Sequence, residues 1–205
     1  MIFKINERIS IDIRDPLLVS NEVLEESKKE LLTRKNKKHI PEENILSSII
    51  FERVCEEKGW GTRVPRALDF FSGVDLIDNK DTEFEIRIQI KTYTKHAQFL
   101  YGNFDKSSGA YLELVEIYQP RHRSSKEPVD EQLVKELLSK CIMCDFCFHG
   151  QYFDDDLQCI KWKIIISKQD VIDNFDLIQY IGGELNQIMI DSEIIKRIKK
   201  KYGEQ

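Results

Sequence analysis

Apolar and polar residues change rhythm several times along this chain, and each rhythm predicts an element. Ile9, Ile11 and Ile13 alternate with other residues ahead of Pro16, the pattern of a short strand. Ser20 or Asn21 can cap a helix running to about Lys35, with Val23, Leu24, Leu31 and Leu32 as its apolar positions. RKNKKH, residues 34 to 39, is a polar break. Pro41 suits the first turn of a second helix, and Glu42 and Glu43 suit the positive end of its dipole. That helix runs to about Lys58 and stops at Gly59. Ile45, Ile49 and Glu52 follow one another at helical spacing, so Glu52 falls on the buried side or its edge.

Short strands follow, around 62 to 71, 73 to 77 and 84 to 92. DNKD, 78 to 81, is strong turn chemistry and makes the last two an antiparallel hairpin. Residues 94 to 110 show little periodicity and read as a loop. YLELVEIY, 111 to 118, reads as a strand, RHRSSKEP, 121 to 128, as a basic loop, and Val129 to Lys140 as a helix. CIMCDFCFHG, 141 to 150, and CIKWKIIIS, 159 to 167, read as two strands joined by a turn at Asp154 to Asp156. A short helix over Asp170 to Phe175 precedes a tail helix over Ser192 to Lys201, with Ile194, Ile195 and Ile198 inward and a basic outer face. The expectation is one α/β domain over residues 1–205, a mixed sheet flanked by helices. Its core lies at about 41–170, with helical additions at both ends.

The hairpin carries the candidate chemistry. Alternate side chains of a strand share a face, so Phe84, Ile86, Ile88 and Ile90 point into a core and Glu85, Arg87, Gln89 and Lys91 point away from it. Neighbours two residues apart on one face are about 7 Å apart, so Gln89 and Lys91 can reach one small volume. Asp75, wedged between Val74 and Leu76, needs a partner inside its apolar strand, and the hairpin brings it beside that face. A hard cation such as Mg²⁺ or Mn²⁺ takes oxygen ligands and keeps waters. Asp75 can give a carboxylate, Gln89 an amide oxygen and Ile90 its carbonyl, with Glu52 binding directly or through water. Lys91, charged, cannot ligate; it can hold an attacking water or offset charge on a phosphate, and the expected role is to orient the water. Metal-assisted phosphodiester hydrolysis needs this combination.

Composition narrows the class. The 205 residues are 41% hydrophobic and 33% charged, an ordinary balance, with net charge -5. That charge is mildly unfavourable for nucleic acid, although the local field decides phosphate contacts. No stretch approaches the roughly 20 apolar residues that span a bilayer, and the N-terminus does not read as a secretory signal. Five cysteines without such a signal suggest free thiols in the cytoplasm.

Asp75 in GVDLI, the hairpin, and IQIK ending in Lys91 resemble the PD-(D/E)xK nuclease superfamily, in the variant with glutamine at the middle acidic position, similar to Mrr-type restriction nucleases. Glu52 matches that superfamily's helix glutamate, and the order of elements over about 41 to 150 resembles its αβββαβ core. Residues 94 to 128 depart from it as an insertion would, and the glutamine removes one negative charge from the site. The resemblance implies a restriction-endonuclease-like fold and a Mg²⁺-dependent endonuclease acting on DNA. A restriction or defence role comes first, and a junction-resolving or repair nuclease second. Cutting both strands of a duplex often takes two active sites, which a homodimer would supply. A nucleic-acid-binding module that keeps the fold without the chemistry is the alternative from another class, and a protein–protein adaptor of unrelated fold is a third.

Blander readings stand beside these. Gln89 and Lys91 also suit a solvated strand face, and Glu56 rivals Glu52. Cys141, Cys144 and Cys147, with Cys55 or Cys159, have a spacing that some nucleases of the superfamily use for an iron–sulfur cluster. A strand would send Cys144 and Cys147 to opposite faces, however, and free cysteine is a common core residue. The histidines share no spacing and read as surface or loop residues, with His96 near Lys91. Tyr93 continues the Gln89 and Lys91 face and either contacts substrate or covers the strand end. Arg63 and Arg66, and Arg121, Arg123 and Lys126 of the basic loop, are candidates for phosphate contacts.

Overall fold

In the computed structural model, residues 1–34, 42–65, 73–93, 99–102, 104–122, 130–152, 158–177, 179–180 and 188–203 are described. Side-chain caps start several of its helices. The Ser20 hydroxyl accepts the Val23 N–H at 3.2 Å and opens α1 (Asn21–Thr33). Asp130 accepts the N–H groups of Gln132 and Leu133 and opens α4 (Glu131–Cys141). Ser167 and Asp170 form a capping box at α5 (Lys168–Asp173). Between the first and second of these come α2 (Glu42–Glu57) and α3 (Gly109–His122), and α6 (Ser192–Gly203) closes the chain. No helix among the described residues is long and apolar enough to cross a membrane.

The strands are β1 (Ile2–Lys4), β2 (Ser10–Asp12), β3 (Leu17–Leu18), β4 (Thr62–Arg63), β5 (Leu76–Asp78), β6 (Ile86–Tyr93), β7 (Phe99–Tyr101), β8 (Phe146–Tyr152), β9 (Cys159–Ser167), β10 (Gln179–Tyr180) and β11 (Ile188–Ile190). Six of them form a mixed sheet in the order β3-β9-β8-β6-β5-β4. β4, β5 and β6 run as an antiparallel meander; β8 then lies parallel to β6, and β9 antiparallel to β8. A parallel neighbour demands a crossover, and the chain from β6 to β8 supplies one containing β7, α3 and α4. Separately, β10, β11 and β7 make a three-stranded antiparallel sheet, and β1 and β2 pair as a hairpin.

α2 covers one face of the large sheet. Ser47 Oγ lies 2.9 Å from Thr92 Oγ1 of β6. A Cβ on Gly150 of β8 would sit 2.7 Å from the Phe51 ring, so no larger residue fits beneath this helix. Leu76, Ile88, Ile90 and Phe148 are buried with Ile50, Phe51 and Val54. Burying such a side chain fully contributes about 1.5–3 kcal/mol.

Several expectations need correction. YLELVEIY is helical, inside α3. As a strand it would place one glutamate on each face, whereas a helix gathers buried Tyr111 and Leu114 on one side and leaves Glu113 and Glu116 exposed. Ser108 Oγ also accepts the Tyr111 N–H at 3.2 Å, a local start signal. The segment read as a loop contains β7, whose partner β11 is almost ninety positions further on. Phe84 is 70% exposed rather than buried, because the turn after Asp78 continues to Glu85 and β6 begins only at Ile86. The strand expected from Cys141 begins at Phe146 instead. Asp145 holds the chain before it: its N–H bonds the Arg87 carbonyl and its carboxylate accepts the Arg87 N–H, each at 2.8 Å.

Candidate active site

β6 is the spine of the site. Ile88, Ile90 and Thr92 face α2, so Gln89 and Lys91 project from the opposite face. The parallel register puts Cys147 beside Gln89, His149 beside Lys91 and Gln151 beside Tyr93. Two columns of polar residues thus run side by side.

Asp75 sits just before β5, where regular pairing ends. Its N–H bonds the Ile88 carbonyl at 2.9 Å, and its Oδ2 accepts the Ile90 N–H at 2.5 Å. The carboxylate takes over a backbone acceptor's role in the ladder. It is thereby held at residue 90, between Gln89 and Lys91. On its other side the Asp75 carbonyl accepts the Val64 N–H at 2.9 Å, so the meander fixes the residue from two directions.

Gln89 is 3% exposed, and the Cys147 thiol donates to its Oε1 at 3.8 Å. Gly102, just after β7, closes over them. A Cβ there would lie 2.7 Å from Cys144 Sγ and 3.6 Å from Gln89 Oε1, which is why glycine is needed. The Gly102 N–H also bonds the Cys147 sulfur. Both thiols therefore lie beside Gly102, contrary to the opposite faces expected of one continuous strand. Burial raises the Cys147 thiol well above its ordinary pKa, which disfavours a thiolate ligand. Among the described residues, no three His, Cys, Asp or Glu side chains could share a metal ion.

Lys91 is half-buried, and its charge reaches both Cys147 and His149. His149 is fully buried, not a surface residue. Burial first, and the Lys91 charge second, bring its pKa down to about 3, so the imidazole is neutral near pH 7.

Glu52 joins a different cluster. Its Oε2 accepts from Arg63 Nη2 at 2.9 Å and lies 3.7 Å from Arg34, and its Oε1 accepts from Ser48 at 3.1 Å. Arg63 also bonds both oxygens of Glu30, at 2.8 and 2.9 Å. Burial pushes the Glu52 carboxyl up, against the pull of Arg63 and Arg34. Burial works against Glu30 as well, yet its bonds from Arg63 and Arg34 bring it down to about 2. This network pins α1, α2 and β4 together on the α2 side of the sheet. It commits the Arg63 guanidinium to two carboxylates and does not bring Glu52 to the face of Gln89 and Lys91.

Tyr93 and Arg121 end β6 and close the last turn of α3, and their side chains lie outside the described residues. Arg66, Arg123, Lys126 and His96 lie outside them altogether. In the sequence, Cys147 is a candidate only as a cluster ligand, His149 reads as a surface or loop residue and Gln151 does not stand out, whereas the register sets all three beside the Gln89 and Lys91 column. Their two-residue spacing is visible in CFHGQY, but nothing local says that β8 pairs with β6.

The donor set suits a lightly held hard cation. Asp75 gives one carboxylate fixed beside residue 90, Gln89 an amide oxygen and Ile90 a carbonyl. Mg²⁺ is commonly bound by one or two carboxylates, with waters and substrate phosphates completing its shell. No family model, curated protein or solved structure matches the chain, so the reading of this site rests on its own chemistry.

Proposed function

We propose that the protein is a metal-dependent nuclease of the restriction-endonuclease-like kind, hydrolysing DNA phosphodiester bonds in a restriction or defence role. The bond from the Ile90 N–H to Asp75 carries this reading, because it sets a carboxylate between Gln89 and Lys91. The order α2, β4, β5, β6, α4, β8 supports it, with β7 and α3 as the insertion after β6.

Asp75, the Ile90 carbonyl and the Gln89 amide oxygen would hold Mg²⁺ or Mn²⁺. The cation would polarise a phosphate oxygen and favour ionisation of a water. Lys91 donates to a non-bridging phosphate oxygen, where negative charge grows in the transition state. Water oxygen bonds to phosphorus as the bridging P–O bond breaks. The attacking water loses a proton to solvent, and the departing oxygen gains one, leaving a hydroxyl end and a phosphate monoester end. Glu52 assists by holding Arg63, and with it β4, against α2.

One observation favours a second reading. Gln89 is packed against Cys147 and Gly102, and among the described residues no three His, Cys, Asp or Glu side chains could share a metal ion. A DNA-binding module without chemistry would also suit that arrangement. Incubating the protein with plasmid and linear DNA, with and without Mg²⁺ or Mn²⁺, beside Lys91→Ala decides between them. The nuclease cuts only with metal, and Lys91→Ala loses cutting while retaining DNA. Retention without cutting by the unaltered protein overturns the nuclease reading.

A further inference from the structure

The second polar column ends in a residue with no role so far. Gln151 follows Cys147 and His149 at two-residue spacing and lies beside Tyr93 in the parallel register, on the face that carries Lys91. The residue is partly exposed, but its Oε1 is buried and has no hydrogen-bond partner among the described residues. A buried acceptor left unmade destabilises the free protein. The side chain has the rotatable bonds to turn that amide outward to a donor.

The other groups at the site leave a task open. An attacking water must point a lone pair at phosphorus, which requires its hydrogens to be held. Lys91 can only donate. Asp75 Oδ2 already takes the Ile90 N–H, Gln89 Oε1 faces the Cys147 thiol, the neutral His149 imidazole is fully buried, and Glu52 is bound to Arg63 on the other side of the sheet. An amide oxygen one strand away, two residues beyond the position opposite Lys91, suits the role. It accepts one hydrogen of the water without taking the proton, as glutamine does in other phosphoryl-transfer sites.

We infer that Gln151 is a positioning residue that orients the attacking water; this rests on the nuclease reading. Lys91 and Gln151 then act on one reaction centre from neighbouring parallel strands, Lys91 on the phosphate and Gln151 on the water.

The test measures plasmid cleavage with Mg²⁺, DNA affinity and Tm for the full chain and for Gln151→Leu, Gln151→Glu and Lys91→Ala. Gln151→Leu should lower kcat roughly 100-fold, with DNA affinity unchanged. Its Tm should rise by about 2–4 °C, because the unmatched acceptor is gone. Gln151→Glu keeps an acceptor and should stay within about tenfold of the parent, with a new rise in rate as its carboxylate ionises. Combined with Lys91→Ala, Gln151→Leu should lower kcat by less than the product of the two single losses. Parent-like kcat in Gln151→Leu, with its Tm raised, overturns the inference and leaves the nuclease reading intact. If Gln151→Leu fails to melt cooperatively, a parent-like pH profile in Gln151→Glu overturns it instead. A parent protein that cuts no DNA with metal overturns the nuclease reading, and this inference with it.

Discussion

The two faces of β6 obey different rules. Toward α2 the strand shows Ile88 and Ile90, almost wholly buried, and Thr92 bonded to Ser47. Away from α2 it shows Gln89 and Lys91 beside Cys147 and His149, with Asp75 at its flank. The first face is organised by volume, and the network of Glu52, Arg63 and Glu30 locks its rim. The second is organised by donors and acceptors: an amide meets a thiol, a carboxylate meets a backbone N–H, and a neutral imidazole lies next to an ammonium. Burial on the first side contributes stability. On the second it keeps the Cys147 thiol and the His149 imidazole uncharged near pH 7.

Substitutions should separate the two faces. Ile88→Ala should destabilise by about 2–5 kcal/mol, seen as a lower urea midpoint, with little change in the rate per folded molecule. Lys91→Ala should do the reverse, reducing metal-dependent cleavage by roughly 100-fold, about 2.7 kcal/mol of transition-state stabilisation, at nearly constant Tm. Equal loss of stability in both variants would erase the distinction between the faces. Asp75→Ala should affect both properties, because it removes the proposed metal ligand and strands the Ile90 N–H. We expect about 1–3 kcal/mol lost in urea unfolding, together with loss of the proposed cleavage.

The smallest effect comes from His149. Its folded pKa of about 3 lies below the usual value of 6.5, so the unfolded chain takes up its proton first as pH falls. Stability is therefore fully present above about pH 6.5 and declines toward pH 3, by about 1.4 kcal/mol between pH 7.5 and 5.5. Urea titrations at these pH values should show that slope, and His149→Phe should flatten it. Glu30 adds its own loss only at lower pH, below about 4.5, as its carboxylate is protonated toward its folded value of about 2.

Local signals were legible wherever one segment's own chemistry decides its shape. Ser20, Asp130 and Ser167 cap helices within a few residues of where the apolar spacing begins. CIKWKIIIS forms a strand over all nine of its residues. YLELVEIY misled because eight residues with apolar groups at most positions satisfy two periods, and only the split of its glutamates and the Ser108 cap favour the helix. The hairpin bearing Asp75, Gln89 and Lys91 was legible for the same local reason, since its turn and alternation lie within one stretch of chain.

By itself, then, the sequence determined the α/β class, the first helix and its cap, a hairpin with strands expected at 73–77 and 84–92 and found at Leu76–Asp78 and Ile86–Tyr93, and the residues on the polar face of β6. Only the tertiary structure decided what meets that face. β8 arrives there after a crossover, Gly102 closes over it from a strand paired with residues 188–190, and Glu52 goes to Arg63 instead. Caps and alternation are written in contacts a few positions apart. Parallel pairing and ion networks join residues tens of positions apart, and their partners are chosen by the packing of the whole sheet.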